Sequence, residues 1–132
     1  MSKTFVDASV LVAILAMEAD FTIQSERLAG VPEPFTSAIA LWEAALAISR
    51  IRRVDVNAAY DELILVIDRR GVEIVPLGQP EAAGAVAAHA KYGKRNHTAK
   101  LNMGDCFAYA CAKTNKATLL YKGDDFAQTD LA

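Results

Sequence analysis

Five acidic residues stand in settings where acids are uncommon, and they are the first candidates for chemistry in this sequence. Glu43 is the only charged residue between positions 38 and 49, and Asp105 is followed by seven uncharged residues. Asp7, Asp124 and Asp125 each lie just beyond a short apolar run that has the composition of a strand. Because acids in mostly buried helices are costly unless they are paired or bind a cation, the five together indicate a site.

Carboxylates without a nearby histidine or cysteine ligand favour a hard, oxygen-preferring cation such as Mg²⁺ or Mn²⁺. Three or four of them at one place would repel one another if no cation were bound. An ion held in this way can bridge a phosphodiester, polarise the phosphorus and lower the pKa of the attacking water molecule. The pattern therefore predicts the chemistry of a metal-dependent nuclease.

Each acid also has an ordinary structural interpretation. Asp7 could cap the helix that follows it, and Asp105 could pair with Asn102 in a capping box. The pair Asp124–Asp125 could be ordinary turn residues, and Glu43 could lie on the one polar edge of its helix. These interpretations stay open for each acid taken singly, but together they require several coincidences.

A basic stretch precedes Asp105. No acid lies between Glu81 and Asp105, whereas six basic or imidazole residues do: His89, Lys91, Lys94, Arg95, His97 and Lys100. Lys94, Arg95 and Lys100 are the predicted contacts to the phosphate backbone of a nucleic acid, and the alternative is a solvated loop. The whole chain has a net charge of -2 and a pI near 5.6, so any nucleic-acid binding is expected to be local.

The order of strands and helices places these residues in a fold. The spacing of apolar residues predicts strands that alternate with helices. Capping and turn residues mark the ends of these elements. The predicted strands span 3–6, 35–37, 72–75 and 118–121, and the predicted helices span 8–17, 21–29, 38–51, 56–70, 80–92 and 103–114. Asp55 and Asn102 are predicted to begin the fourth and sixth helices, and Gly71 to end the fourth.

Strands separated by helices predict an α/β fold, in which a parallel sheet is flanked by helices on both faces. With 132 residues, the chain is expected to form a single domain. Ligands of such sheets bind outside the carboxyl ends of the strands. Asp7 and the turn Gly123-Asp124-Asp125 are therefore expected at the same rim of the sheet.

Other classes of protein lack support in the sequence. There is no dinucleotide fingerprint, P-loop or Gly-x-Ser-x-Gly elbow, and the two histidines have no zinc spacing. No signal peptide is recognisable, and the longest apolar run, 10–17, is far short of the ~20 residues that span a bilayer. Cys106 and Cys111 are expected to be free, buried thiols, which fits a cytoplasmic protein without a membrane association.

Four segments resemble one known family. They are Phe5-Val6-Asp7-Ala8-Ser9, the lone Glu43 after Phe35-Thr36-Ser37-Ala38, the segment from Leu101 to Ala110, and the segment from Leu119 to Asp130. Together they resemble the PIN-domain ribonucleases of the VapC toxin type over nearly the whole chain. The Leu-Asn-x-Gly-Asp-Cys-Phe-Ala-Tyr-Ala pattern of the third segment is the most specific part.

The resemblance implies a Mg²⁺- or Mn²⁺-dependent endoribonuclease that acts on structured RNA. It also implies a homodimer and inhibition by a small cognate antitoxin. Carried over residue by residue, Asp7, Glu43 and Asp105 are the implied catalytic, metal-binding acids. Ser9 and Asn102 resemble polar residues that support those ligands.

The fourth acid of the implied site is open between two neighbours. Either Asp124 or Asp125 could bind the metal, because family members vary in the turn after the last core strand. The position of Asp124 directly after Gly123 favours it as the catalytic acid.

Two other functions are alternatives. The chain could be an aspartate-nucleophile phosphatase, since Asp7 ends a first strand and the 123–125 turn resembles the last acidic motif of that class. Ser9 stands where that class has its second acid, which argues against it. The chain could also be a non-catalytic PIN-like binding protein whose acids never bind metal. Cleavage of RNA, hydrolysis of a small phosphomonoester, or neither would distinguish the three.

Overall fold

The computed structural model describes residues 2–95 and 97–132, and over that part the chain alternates short strands with longer helices. The strands are β1 (Thr4–Val6), β2 (Pro34–Ser37), β3 (Glu73–Val75) and β4 (Thr118–Leu120). The helices are α1 (Ala8–Leu15), α2 (Phe21–Ala29), α3 (Ala38–Arg52), α4 (Val56–Arg69), α5 (Gln79–Tyr92) and α6 (Met103–Thr114).

The strands form one parallel sheet in the order β3-β2-β1-β4. In the register of the sheet, Phe5 of β1 is paired with Phe35 on one side and Leu119 on the other. The chain runs outwards from β1 to β2 and β3 and then returns across the sheet to β4. Because parallel crossovers are right-handed, this reversal puts α1–α4 on one face and α5–α6 on the other. The predicted α/β fold with helices on both faces is confirmed.

The reversal of strand order lies between β1 and β4, where ligands bind in sheets of this type. The backbone N–H of Asp7, directly after β1, donates to the carbonyl of Leu120 at the end of β4, at 2.9 Å. The carboxyl ends of the two strands are therefore adjacent. Asp7 and the turn after β4 lie at the same rim, as the element order predicts.

A continuous apolar core holds this rim in place. β1 is buried along its whole length, and the rings of Phe5 and Phe35 pack edge to face with centroids 5.5 Å apart. Leu11 of α1 and Ile48 of α3 are fully buried against the same core. A strand buried on both sides has little freedom to move, so Asp7 follows a rigid support.

Local residues set the ends of the helices. α1 ends at Leu15, short of the predicted boundary, and Met17 adopts a left-handed backbone with φ of 52° that cannot continue a helix. Gly71, with φ of 68°, closes α4 where the sequence predicts it. Asp55 and Asn102 accept the capping hydrogen bonds of α4 and α6, which confirms both predicted N-caps.

Cys106 and Cys111 are free and buried, as expected. In the part of the chain that the structure describes, no helix is both long and apolar enough to cross a membrane.

Candidate metal centre

Asp7 is held between β1 and α1. Its carboxylate Oδ2 caps α1 by accepting from the backbone N–H of Ser9 at 3.1 Å, and the Ser9 hydroxyl donates to the same oxygen at 2.6 Å. The Ser9 hydroxyl in turn accepts from the backbone N–H of Lys122 at 2.9 Å. Ser9 thus ties Asp7 to the start of the turn that follows β4, a position consistent with the supporting role that the resemblance implies.

Asp105 is fixed by a reciprocal pair of hydrogen bonds at the start of α6. The side-chain Oδ1 of Asn102 accepts from the backbone N–H of Asp105 at 2.9 Å, and Oδ2 of Asp105 accepts from the backbone N–H of Asn102 at 3.1 Å. Asp105 is buried, with 9% of its surface exposed. The capping box therefore orients a buried carboxylate.

Glu43 reaches the start of α6 through a gap left by a glycine. It lies on α3 and is half-buried. A Cβ atom added at Gly104 would lie 1.9 Å from Oε2 and 2.4 Å from Oε1 of Glu43. The Glu43 carboxylate thus occupies the space that any other side chain at position 104 would fill. Gly104 allows Glu43 to lie against the helical turn that carries Asp105.

Asp125, rather than Asp124, joins these three acids. Among the described residues, the carboxylates that raise the pKa of Glu43 are those of Asp7, Asp105 and Asp125. The charge of the Asp125 carboxylate also raises the pKa of Asp105 and of Asp7. Asp124 is exposed. The turn at Gly123 brings the second aspartate towards the other acids, so the geometry favours Asp125 where the sequence favours Asp124.

Burial and mutual repulsion make these acids costly to ionise. Burial is the largest cause that raises the pKa of Glu43 to about 7, and the three neighbouring carboxylates add to it. Burial also raises the pKa of Asp105 to about 7; the hydrogen bond from Asn102 opposes the shift, and the charges of Asp125 and Asp7 reinforce it. Burial raises the pKa of Asp7 against the hydrogen bonds from Ser9. No lysine or arginine of the described chain is among the causes acting on these three acids.

The donor set fits a hard divalent cation. We refer to Asp7, Glu43, Asp105 and Asp125 as the acid group; all its members offer carboxylate oxygens, which Mg²⁺ and Mn²⁺ prefer. A bound cation would offset the repulsion within the group. Within residues 2–95 and 97–132, no three acidic, histidine or cysteine side chains form a ready-made ligand arrangement. The carboxylates of the acid group would therefore draw closer together around an ion.

The capping interpretation holds for two of the acids without explaining their convergence. Asp7 and Asp105 are N-terminal caps, as the ordinary interpretation proposes, and each uses its Oδ2 atom for this purpose. Capping alone gives no reason for the two carboxylates to lie near Glu43, which comes from a third helix. A polar helix edge does not explain Glu43 either, because its carboxylate is lodged against Gly104.

The predicted basic residues lie on the loop between α5 and α6. Lys94, Arg95 and Lys100 are exposed. The loop closes where the backbone N–H of Leu101 donates to the carbonyl of Tyr92 at 2.9 Å. Lys94 lines a pocket together with Asn102, the residue that forms the capping box with Asp105. For Lys94, Arg95 and Lys100, contact with RNA stays a prediction.

Comparison with known proteins connects this geometry to a family. Residues 4–131 match the family described as the PIN domain. A VapC ribonuclease of Rhizobium meliloti is 38% identical over 140 residues, covering 97% of this chain and 99% of that protein. The chain belongs to the VapC ribonucleases of the PIN-domain family. A second VapC ribonuclease, from Mycolicibacterium smegmatis, is 38% identical over 128 residues and 96% of each protein.

Solved structures of VapC toxins share the fold. VapC20 of Mycobacterium tuberculosis, a toxin that cleaves the sarcin-ricin loop, aligns with a TM-score of 0.77 over 98% of both chains at 18% identity. A toxin-antitoxin complex from Klebsiella pneumoniae aligns with a TM-score of 0.71 over 97% of this chain and 93% of that chain, also at 18% identity. At this identity the two structures support the VapC fold alone.

Sequence reasoning misses Gly104 as part of the site. The sequence nevertheless contains a signal for Gly104. Helix propensity disfavours a glycine in the first turn of an alanine-rich helix, and this glycine directly precedes the candidate ligand Asp105. Sequence reasoning also misses Lys122, whose backbone N–H binds Ser9. No signal could identify Lys122, since any residue except proline offers the same N–H group.

Proposed function

We propose that this member of the VapC family is a metal-dependent endoribonuclease and the toxin of a type II toxin-antitoxin pair. In this proposal the acid group holds Mg²⁺ or Mn²⁺. The relatives that are named ribonucleases support the activity, and the solved toxin structures support the fold. The observation that carries the metal assignment is the convergence of the acid group from four separate segments of the chain, where burial and repulsion raise the pKa of Asp7, Glu43 and Asp105.

A bound divalent ion would stabilise charge on the phosphate under attack and lower the pKa of the attacking water. The chain's own residues supply the positions. The Ser9 hydroxyl donates to the carboxylate of Asp7 and the backbone N–H of Asn102 donates to that of Asp105, so both carboxylates are oriented. Gly104 leaves room for the carboxylate of Glu43. These hydrogen bonds limit the rearrangement that the carboxylates would need in order to bind an ion.

The proposed partners follow from this activity. The substrate is RNA, so we place the action of the protein in the cytoplasm, and Lys94, Arg95 and Lys100 would contact its phosphates. A small cognate antitoxin would bind and inhibit the enzyme, and two copies of the chain would form a homodimer. We also propose that residues 1–132 constitute a single domain.

The direct test uses the purified chain, free of any antitoxin, with RNA as substrate. Cleavage is expected with Mg²⁺ or Mn²⁺ and is expected to stop when a chelator removes the ion. A phosphomonoester incubated in parallel tests for a phosphatase and should remain intact. Cleavage that continues unchanged in excess chelator would exclude the proposed mechanism.

Two adjacent aspartates provide a matched pair of variants for the fourth ligand. Asp125→Asn should lower the rate of RNA cleavage by more than the ~10–100-fold that loss of an outer hydrogen-bonding partner costs a metal site. Asp124→Asn changes the same charge one residue away, at an exposed position, and should retain activity. Loss of activity in Asp124→Asn but not in Asp125→Asn would assign the role of fourth metal ligand to Asp124.

A further inference from the structure

An apolar pocket opens between α5 and α6. It has a volume of about 480 Å³, and its walls include Val86 from α5, Leu101 from the connecting loop, and Met103, Cys106 and Phe107 from α6. Leu101 and Cys106 are buried, whereas Val86 is 71% and Met103 is 60% exposed. The pocket therefore has a fixed apolar floor and an accessible apolar rim.

The pocket is continuous with the acid group. Asn102 lines the pocket and also forms both hydrogen bonds of the capping box with Asp105. Met103, another lining residue, directly precedes Gly104, against which the Glu43 carboxylate lies. A molecule bound at the acid group could thus extend into the pocket over the first turn of α6.

Among the described residues that line the pocket, Lys94 and His89 are basic or imidazole side chains and none is acidic. Lys94 is exposed and lines the pocket. No acid lies in the sequence between Glu81 and Asp105, which includes most of the pocket walls. An apolar interior with a basic rim suits a ligand that is flat and apolar in one part and anionic in another.

We propose that this pocket receives one unstacked base of the RNA, next to the phosphate that lies at the acid group. Proteins that recognise single-stranded RNA commonly take a splayed base onto aromatic or apolar side chains while basic residues hold the backbone. Phe107 and Met103 would contact the base, and Lys94 would contact an adjacent phosphate. The pocket would then influence which nucleotides flank the cleaved bond. This inference rests on the proposed ribonuclease function.

Two neighbouring alanines on α5 allow a matched test. Ala82 is exposed and lines the pocket, and Ala83 is equally exposed but lies outside the pocket lining. Ala82→Phe should obstruct the pocket, whereas Ala83→Phe adds the same side chain beside it. Both changes are made in an Asp7→Asn background, which keeps the RNA intact. The probes are labelled oligoadenylate and oligouridylate of about ten nucleotides, a length typical of single-strand sites.

We expect Ala82→Phe to weaken binding of at least one probe about tenfold, the loss of roughly one stacked base. The ratio of the two affinities, parent to Ala82→Phe, should be the same at about 50 and about 200 mM salt, because a base contact releases no counterions. Lys94→Gln should instead reduce the salt dependence of binding. Ala83→Phe should bind as its parent does. Val86→Gln, which removes apolar wall at an exposed helical position, provides a second variant and should also weaken binding.

Three results would overturn the inference. Unchanged affinity in both Ala82→Phe and Val86→Gln, with melting temperatures showing folded proteins, would exclude a base in the pocket. A change of oligomeric state confined to the pocket variants, measured by sedimentation, would assign the pocket to a second copy of the chain. If the unmodified chain cleaves no RNA with Mg²⁺ or Mn²⁺, the proposed function fails and the inference fails with it. If the unmodified chain cleaves RNA but the pocket variants bind the probes as tightly as their parent, the inference about the pocket is rejected and the proposed function stands.

Discussion

Asp105 lies in the first turn of α6 and Asp130 bonds to side chains of the same helix, but the surroundings of the two carboxylates differ in kind. Asp130 accepts hydrogen bonds from Lys113 and Tyr109 of that helix, and these bonds lower its pKa. Asp105 lies deeper, among other carboxylates, and burial raises its pKa to about 7. Asp20 resembles Asp130, because hydrogen bonds from Lys122 and Gln24 lower its pKa.

The comparison separates acids that assist folding from acids that work against it. A carboxylate that gains a cationic partner is easier to ionise in the folded chain, although exposed pairs contribute little stability. A buried carboxylate that lies near other carboxylates is harder to ionise, and its charge destabilises the fold. The acid group therefore makes physical sense as a binding site for a cation, and this difference can be tested by experiment.

The largest expected effect is on catalysis. Asp105→Asn should reduce the rate of RNA cleavage by at least about a hundredfold, since the change removes a ligand while the N-cap of α6, Asn102, is unaltered. Asp130→Asn, which removes a paired carboxylate beside the same helix, should leave the rate within about threefold of the unmodified chain, as expected for a site outside the chemistry. Cleavage assays alongside circular dichroism would test this. Equal losses in both variants would contradict the distinction between the two regions.

The second effect is on thermal stability. With free Mg²⁺ at about 100 times its Kd, the native state gains about 2.7 kcal/mol, which corresponds to roughly 10 °C for a chain of this size. Asp7→Asn should lose most of that gain. In chelator the same variant should melt above the unmodified chain, because the cap survives and one repelling charge is gone.

Asp20→Asn is the control for the melting experiment. It should respond to Mg²⁺ as the unmodified chain does and should not melt higher in chelator, because Asp20 is paired with Lys122. Identical melting of Asp7→Asn and the unmodified chain, with no response to metal in either, would leave Asp7 as a helix cap alone.

The third effect concerns the glycine that admits Glu43. Gly104→Ala should weaken Mg²⁺ or Mn²⁺ binding about tenfold, comparable to the loss of an outer partner of a ligand, because the added methyl group displaces the Glu43 carboxylate. Helix propensity alone would make the same change stabilising by up to about 1 kcal/mol. Titration of the metal by calorimetry and melting in chelator would measure the two effects separately.

A control and a compensating change test the steric reason. Gly78→Ala should leave metal binding unaltered, since its added Cβ would lie 3.8 Å from the nearest atoms. Glu43→Asp shortens the side chain, so the double variant with Gly104→Ala should bind metal better than Gly104→Ala does. Failure of the double variant to recover any affinity would show that Gly104 acts in another way.

The sequence predicts the fold well because its signals are local. Asp55, Gly71 and Asn102 mark helix ends by their own hydrogen bonds or backbone conformation, and alternating strands and helices leave few parallel arrangements. Those positions are confirmed, together with the order of every element from β1 to β4.

The sequence predicts the candidate site less completely, because convergence is not a local property. Isolation in apolar helices singles out Glu43 and Asp105, but the choice between Asp124 and Asp125 depends on how the turn at Gly123 rotates the chain. The importance of Gly104 arises only when α3 packs against α6. Such long-range contacts leave no mark in the spacing of residues.

The smallest expected effect is on the pH dependence of stability without metal. Glu43 and Asp105 have pKa values raised to about 7 in the folded chain, so the folded state binds more protons than the unfolded state at mildly acidic pH. Their contribution is fully present below the unfolded values near 4 and is lost as pH rises towards about 7. Asp130, whose pKa is lowered, contributes in the opposite sense, and its stabilisation is lost only as pH falls below about 4.

The free energy of unfolding, measured with urea in chelator from about pH 5 to about pH 8, distinguishes Glu43 and Asp105 from Asp130, because Asp130 contributes no pH dependence over this range. The unmodified chain should lose stability as pH rises over this range, and Glu43→Gln should flatten the loss because it removes one of the two raised groups. Asp130→Asn should leave the slope unaltered over the same range. Saturating Mg²⁺ should reverse the trend, since ionised carboxylates bind the ion and protons compete with it. Stability that stays constant or rises with pH in chelator would mean that the acid group carries no electrostatic cost, and the contrast with Asp130 would then lose its physical basis.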